Sequence, residues 1–188
     1  MSFFKDLKGK LLGGGLSREE PVKRNKRFMN YDESTTVGII YDVQDVNQHE
    51  TIKRYIKHLK EEEGMKEVSA MGFWDSKEDI PTFLQAVRHF DWFTQAEISG
   101  NGAPDNDQSN AFADKEFDIL IDLSYESHVP LVYLLKRSRA RCKVGFPAEE
   151  KEDLLDIIVE ADLEKSLLEA IDHVNFYLTI LNKKAQTA

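Results

Sequence analysis

Hydrophobic positions along the chain alternate between two kinds of pattern. "TTVGIIYD", Thr35 to Asp42, is a nearly unbroken β-branched and apolar run, as expected of a strand buried on both faces of a parallel sheet. After it, Ile52, Tyr55, Ile56 and Leu59 fall on one side of a helix whose other side carries Lys53, Lys57, Lys60 and Glu61 to Glu63, and Gly64 supplies the stop. "KEVSAMGFW", Lys66 to Trp74, reads as a second strand. "SKEDIPTFLQAVRHF" predicts a helix through Ile80, Phe83, Leu84, Val87 and Phe90, with Ser76 and Asp79 as its start signal.

The pattern weakens from Asp91 to Glu116, with a short strand near Trp92 to Ile98 and then a Gly/Asn/Asp-rich loop, Ser99 to Glu116. "FDILIDLS" restores a buried strand, "SHVPLVYLLKRSRA" a helix, "RCKVGF" a strand and "LLDIIVEA" another. Leu163, Leu167, Ile171, Val174, Leu178 and Leu181 make a closing helix. Strands alternating with helices require right-handed crossovers, so the fold predicted is α/β: a three-layer, mostly parallel, Rossmann-like sheet of about five to six strands. No internal repeat is evident.

The amino terminus differs from the rest. Phe3, Phe4, Leu7 and Leu11 recur at helical spacing opposite Lys5, Lys8 and Lys10, and Gly13, Gly14 and Gly15 end the run, which predicts a short amphipathic helix. The basic, Pro21-interrupted stretch after it reads as an extended linker. The expected organisation is a basic N-terminal helix and linker, residues 1–30, and one α/β domain, residues 31–188.

Charge sharpens that division. Residues 1–30 hold eight Lys/Arg and three Asp/Glu, a balance of +5, and the remainder carries −14 out of the net −9. A body that acidic repels a phosphate backbone, so no nucleic acid is expected on the main domain. The lysines break any secretory h-region and the single cysteine, Cys142, forms no internal disulfide, so a cytoplasmic location is expected.

Chemistry is sought where the strands end, because open parallel sheets bind ligands beyond their carboxyl edge. The candidates there are Asp42, which ends the first strand, and Asp45 beyond it, Asp75 at the end of the second, and Asp122, which ends the strand that opens at Phe117, followed by Ser124, Tyr125 and His128. Asp75 is placed to accept a ribose hydroxyl, Ser124 to donate to a phosphate and His128 to act as acid or base. The same residue types also close turns and cap helices. Asp122, flanked by Ile121 and Leu123, is the hardest to explain as surface decoration.

No metal is expected, since the histidines at 49, 58, 89, 128 and 173 are scattered, without ligand spacing, and lie mainly on polar or boundary positions of helices. Neither GxGxxG nor GxxxxGK[ST] follows the first strand, so no cofactor is specified. Cys142 inside a strand reads as a small hydrophobe. Lys136, Arg137, Arg139, Arg141 and Lys143 form a basic patch, suited to an acidic ligand or partner or to a solvated helix end.

With "FMNYDESTTVGIIYD", "FDILIDL" and "KVGF" in that order, the chain resembles, over nearly its whole length, an uncharacterised Bacteroidetes family of unknown function, which brings no catalytic residues with it. The region from Asp118 to Phe146, a strand ending in Asp-Leu, a helix, a basic residue and "VGF", is similar to the N-terminal Rossmann-like half of heptosyltransferase-type glycosyltransferases. It departs from them in lacking their glycine-rich acceptor turn after the first strand and a second domain for the sugar nucleotide.

Two readings follow. In the first, a cytoplasmic Rossmann-like domain acts by binding, its N-terminal helix contacting a protein partner, a second copy or, weakly, a membrane surface. In the second, an enzyme that binds a small molecule, a nucleotide or a nucleotide sugar uses the strand-end edge.

Overall fold

The computed structural model describes residues 22–77, 80–84, 90–161 and 166–181. Within them, six strands form one wholly parallel sheet: β1 Thr36–Asp42, β2 Glu67–Trp74, β3 Phe90–Thr94, β4 Ile119–Asp122, β5 Cys142–Gly145 and β6 Ile157–Ile158. Their order is β3-β2-β1-β4-β5-β6. The described helices are α1 Val46–Glu61, α2 Asp107–Asp114, α3 Val129–Arg137 and α4 Leu167–Ile180.

Period-two alternation divides the core between the two faces of the sheet. Val37, Ile39 and Tyr41 of β1 join Val68, Ala70, Ile119 and Ile121 beneath α1 and α4, which contribute Ile52, Tyr55, Leu59, Ile171, Val174 and Leu178. Ile40, Met71, Phe73, Phe93 and Leu120 face the other way, under Phe112 of α2 and Leu131, Leu134 and Leu135 of α3. The result is three layers. Each fully buried Leu, Ile or Phe here adds about 1.5–3 kcal/mol of apolar transfer, so the central strands β1 and β4, closed on both faces, anchor the fold. Gly38 in mid-β1 is a packing requirement, because a Cβ there would stand 2.8 Å from the ring of Phe117.

The α/β architecture and the buried strands are as the periodicity predicts, and several details differ. Phe90, expected in a helix, opens β3, so the predicted strand near Trp92 to Ile98 begins and ends earlier, at Phe90–Thr94. The loop Ser99 to Glu116 contains α2. Asn106 caps it by accepting the Ser109 N–H at 2.7 Å, and Phe112 packs on Phe117. The strand expected across "LLDIIVEA" contracts to Ile157–Ile158, because Leu154 and Leu155 are held in a turn on the Lys151 carbonyl. The helix predicted from Ser76 to Phe90 shows a short 3₁₀ turn at Thr82–Leu84; Asp79, Val87 and His89 lie outside the described residues, as do the amphipathic segment Phe3 to Leu11, the three glycines after it and Leu163.

Residues 22–30, read from sequence as linker, lie against the sheet's amino edge. The buried Arg24 guanidinium reaches Asp156 at 2.6 and 2.8 Å and also donates to the carbonyls of Ala140 and Arg141. Met29 and Tyr31 are core residues, the latter hydrogen-bonded to Tyr55 and Asn175.

Candidate functional site

The crossover after β1 places α1 on one face of the sheet, and the crossover after β4 places α3 on the other. Their carboxyl ends therefore flank the crevice where a doubly wound sheet takes its ligand. The seven strand-end residues named above occur at this edge in two groups.

The first group centres on His128, which precedes α3 without capping it and lies edge-on to Phe73, with ring centroids 5.2 Å apart. Its Nε2 is 3.8 Å from Asp42 Oδ2 and its Nδ1 is 3.8 Å from Asp75 Oδ2. At that distance the imidazole has charged neighbours but no direct hydrogen bond to either. The buried Asp42 accepts the Tyr125 N–H at 2.7 Å and the Gln44 amide at 3.1 Å, and Asp75 accepts Gln95 Nε2 at 2.6 Å. Asp45 caps α1 by accepting the Gln48 N–H at 2.8 Å. Gln48 in turn donates to the Asp42 carbonyl. Tyr125 is half-buried; burial, with the charges of Asp42 and Asp45, raises its phenol above the ordinary range.

The second group is a buried knot. Asp122, 1% exposed, accepts Ser124 N–H at 3.0 Å and Ser124 Oγ–H at 2.5 Å through one oxygen. Lys151 Nζ stands 2.9 Å from the other oxygen, off the hydrogen-bond direction, and donates to Ser124 Oγ at 2.7 Å. Gly145 makes room for it, since a Cβ there would lie 3.2 Å from Asp122 Cβ and 3.0 Å from Leu155. Asp122 thus faces Lys151, whereas Asp42 and Asp75 face His128. Among the described residues no cluster of three or more His, Cys, Asp and Glu side chains could hold a metal ion.

Sequence reasoning missed Lys151 and Gln95. "PAEEKEDLLD" carries no motif that marks Lys151, and only the fold carries Lys151 back to Asp122. It also misplaced His49 as a polar or boundary residue: the ring is fully buried against Phe83 and Phe90, its Nδ1 is 3.1 Å from Tyr41 Oη, and burial lowers its pKa. His58 pairs with Glu63 at 3.4 Å and His173 lies 3.2 Å from the Glu160 carbonyl.

The basic patch divides by burial. Arg137 binds Asn110 and Asp114, Arg141 binds Asp118 at 3.1 Å, and Lys143 is buried on the Leu135 carbonyl. Burial first, then the charges of Arg24 and Lys26, pushes the Lys143 ammonium down to about 7. Arg139 is exposed and has no ion pair among the described residues. Cys142 is buried and its thiol is pushed up to about 11, which keeps it protonated and unreactive.

The outer face of α4 is unusual for a covering helix. Leu168, Phe176, Tyr177 and Ile180 are 57%, 59%, 46% and 46% exposed, with Phe176 and Tyr177 in edge-on ring contact. Leu168, Asp172, Phe176 and Ile180 recur every four residues, so they share one side of the helix. None of the described helices is long and apolar enough to cross a membrane.

The chain belongs to a family of unknown function, DUF6913, whose model matches residues 10–181. No curated protein matches it.

Proposed function

We propose that this protein is a cytoplasmic association domain: the amphipathic segment Phe3 to Leu11 of one copy docks on the outer face of α4 of a second copy. The observation that carries the reading is the four large apolar side chains exposed on α4, Leu168, Phe176, Tyr177 and Ile180, since the solvent side of a covering helix is ordinarily polar. The two halves match in chemistry. Exposed Glu169 and Asp172 lie among the apolar residues of this face, and Lys5, Lys8 and Lys10 border the apolar face of the segment. Each copy carries both halves, so two copies satisfy one another reciprocally, an inexpensive route to a dimer.

The strand-end edge supports the same reading. The Asp122–Ser124–Lys151 knot is buried and pairs its own charges, which leaves Asp122 and Lys151 facing each other and not a ligand.

The test compares wild type with the pair Phe176→Asp and Ile180→Asp by light scattering and by the rate of tryptic cleavage at Lys5, Lys8 and Lys10. A docked segment resists cleavage in a wild-type dimer and becomes labile in a monomeric variant. Equal mass and equal cleavage in both proteins would refute the proposal.

A second reading, in which the edge holds a small molecule or nucleotide sugar, draws support from His128 standing between Asp42 and Asp75 with both ring nitrogens free of direct hydrogen bonds to them. A thermal-shift response to such ligands that is lost in His128→Ala would favour it.

A further inference from the structure

The edge of the sheet opposite the strand-end crevice holds a different concentration of charge. Where residues 22–25 pass the segment just before β5, they enclose a recess of about 340 Å³. Its walls carry Lys23, Arg24, Arg139 and Arg141 against a single carboxylate, Glu116, with Asn25 between.

These cations are held in place to different degrees. Arg24 is fixed by Asp156, 2.6 Å away, and by two carbonyls, and Arg141 by Asp118. Those pairs fix the shape of the recess and partly neutralise its floor. Lys23 and Arg139 are exposed and form no ion pair with a described residue, so their charge is available to a ligand. Arg24 is also felt further in: after burial, its charge helps push the Lys143 ammonium down to about 7, against the opposing charge of Asp156.

We propose that this recess binds a phosphorylated small molecule, with Arg139 and Lys23 engaging the phosphate and Arg141 and Arg24 lining the space behind it. Guanidinium forks match phosphate oxygens two at a time, and a lysine adds a point charge. The volume is at the lower end for small-molecule sites, which suits a phosphate on a body of about sugar size. Outside the first 30 residues the chain carries −14, so a local basic recess in an acidic body admits a small anion and repels an extended polyanion. The proposal is independent of the docking of the N-terminal segment on α4.

The test is calorimetric titration of the full-length protein with glycerol 3-phosphate, inorganic phosphate and sulfate, at low and at physiological salt. Saturable binding of the phosphate ester is expected, weakened about tenfold in Arg139→Ala, the equivalent of one charge-assisted contact, and severalfold in Lys23→Ala. Both side chains are exposed and neither makes a described side-chain hydrogen bond, so both variants should fold; an unchanged melting temperature checks this. Three results would overturn the proposal: no binding of the ester at millimolar concentration, binding indifferent to Arg139→Ala, or sulfate binding as tightly as the ester.

Discussion

Lys151→Met removes one half of the knot that closes the β4 end of the crevice, and its cost follows from burial. Lys151 and Asp122 side chains are 4% and 1% exposed, so losing the ammonium leaves a carboxylate out of water with only the two Ser124 donors. Breaking such a pair on one side costs about 3–5 kcal/mol. Asp122→Asn strands the ammonium instead and carries a penalty of the same order. In the double variant neither charge remains, and the protein should lie within about 1 kcal/mol of wild type, because exchanging a buried pair for neutral groups is often nearly neutral. Urea denaturation at pH 7 reads all three. With an m-value of about 2 kcal/mol per molar, each single variant lowers the midpoint by roughly 1.5–2.5 M and the double variant restores most of it. Two small, additive single effects would refute the reasoning, since they would mean that the pair is solvated and the crevice is open to water.

Lys143→Met should stabilise the protein most at low pH. With its folded pKa at about 7, native Lys143 sheds its proton near neutrality, whereas the unfolded chain keeps it up to about 10.4, so wild-type stability rises with pH between those limits. The advantage of the variant should therefore shrink by roughly 2.7 kcal/mol from pH 6 to pH 9, and a gap constant with pH contradicts this. Arg24→Ala should cost about 3 kcal/mol in chemical denaturation, somewhat eased by Lys26 at 3.3 Å from Asp156. Burial opposes the charge of Asp156, but hydrogen bonds from Arg24 and the Lys143 amide outweigh it and hold the carboxyl below its ordinary range. That contribution is present above about pH 4 and lost as pH falls through the folded pKa, so Arg24→Ala should lose less stability on acidification than wild type. Gly38→Ala forces a methyl group against Phe117 and Leu120 and should lower stability by about 1–3 kcal/mol, measured by thermal unfolding; a neutral result would show that Phe117 can swing aside.

The elements legible in the sequence are those whose stabilisation is local or continuous. β1 and β4 are unbroken apolar runs because both faces of each are covered, and α1 shows its amphipathic stripe and its Gly64 stop, at φ 71°, without reference to anything distant. α2 was hidden because its eight residues bury only Ser109, Phe112 and Ala113, and its cap sits in a tract whose Gly, Asn and Asp content signals a loop. The short extent of β6 depends on contacts made elsewhere in the chain. Its neighbour Asp156 is turned toward Arg24 and the Lys143 N–H.

The candidate edge was legible in its acids and not in its partners. Asp42, Asp75, Asp122 and His128 follow predictable strand ends, whereas Lys151 and Gln95 reach the edge only through the fold. His49 was misread because nothing in its neighbourhood along the chain announces that Phe83 and Phe90 will close over it. The buried side of α4 was legible, since Leu167, Ile171, Val174 and Leu178 are the residues whose spacing marks the helix, whereas Leu168, Phe176 and Ile180 on its outer side were passed over.

Association through α4 is tested most directly by placing a photo-crosslinking amino acid at position 176 of the full-length protein and mapping the product by mass spectrometry. A crosslink between position 176 of one chain and residues 3–11 of another, in a species of twice the monomer mass, is the predicted result. A crosslink within a single chain, or none to residues 3–11, would contradict it.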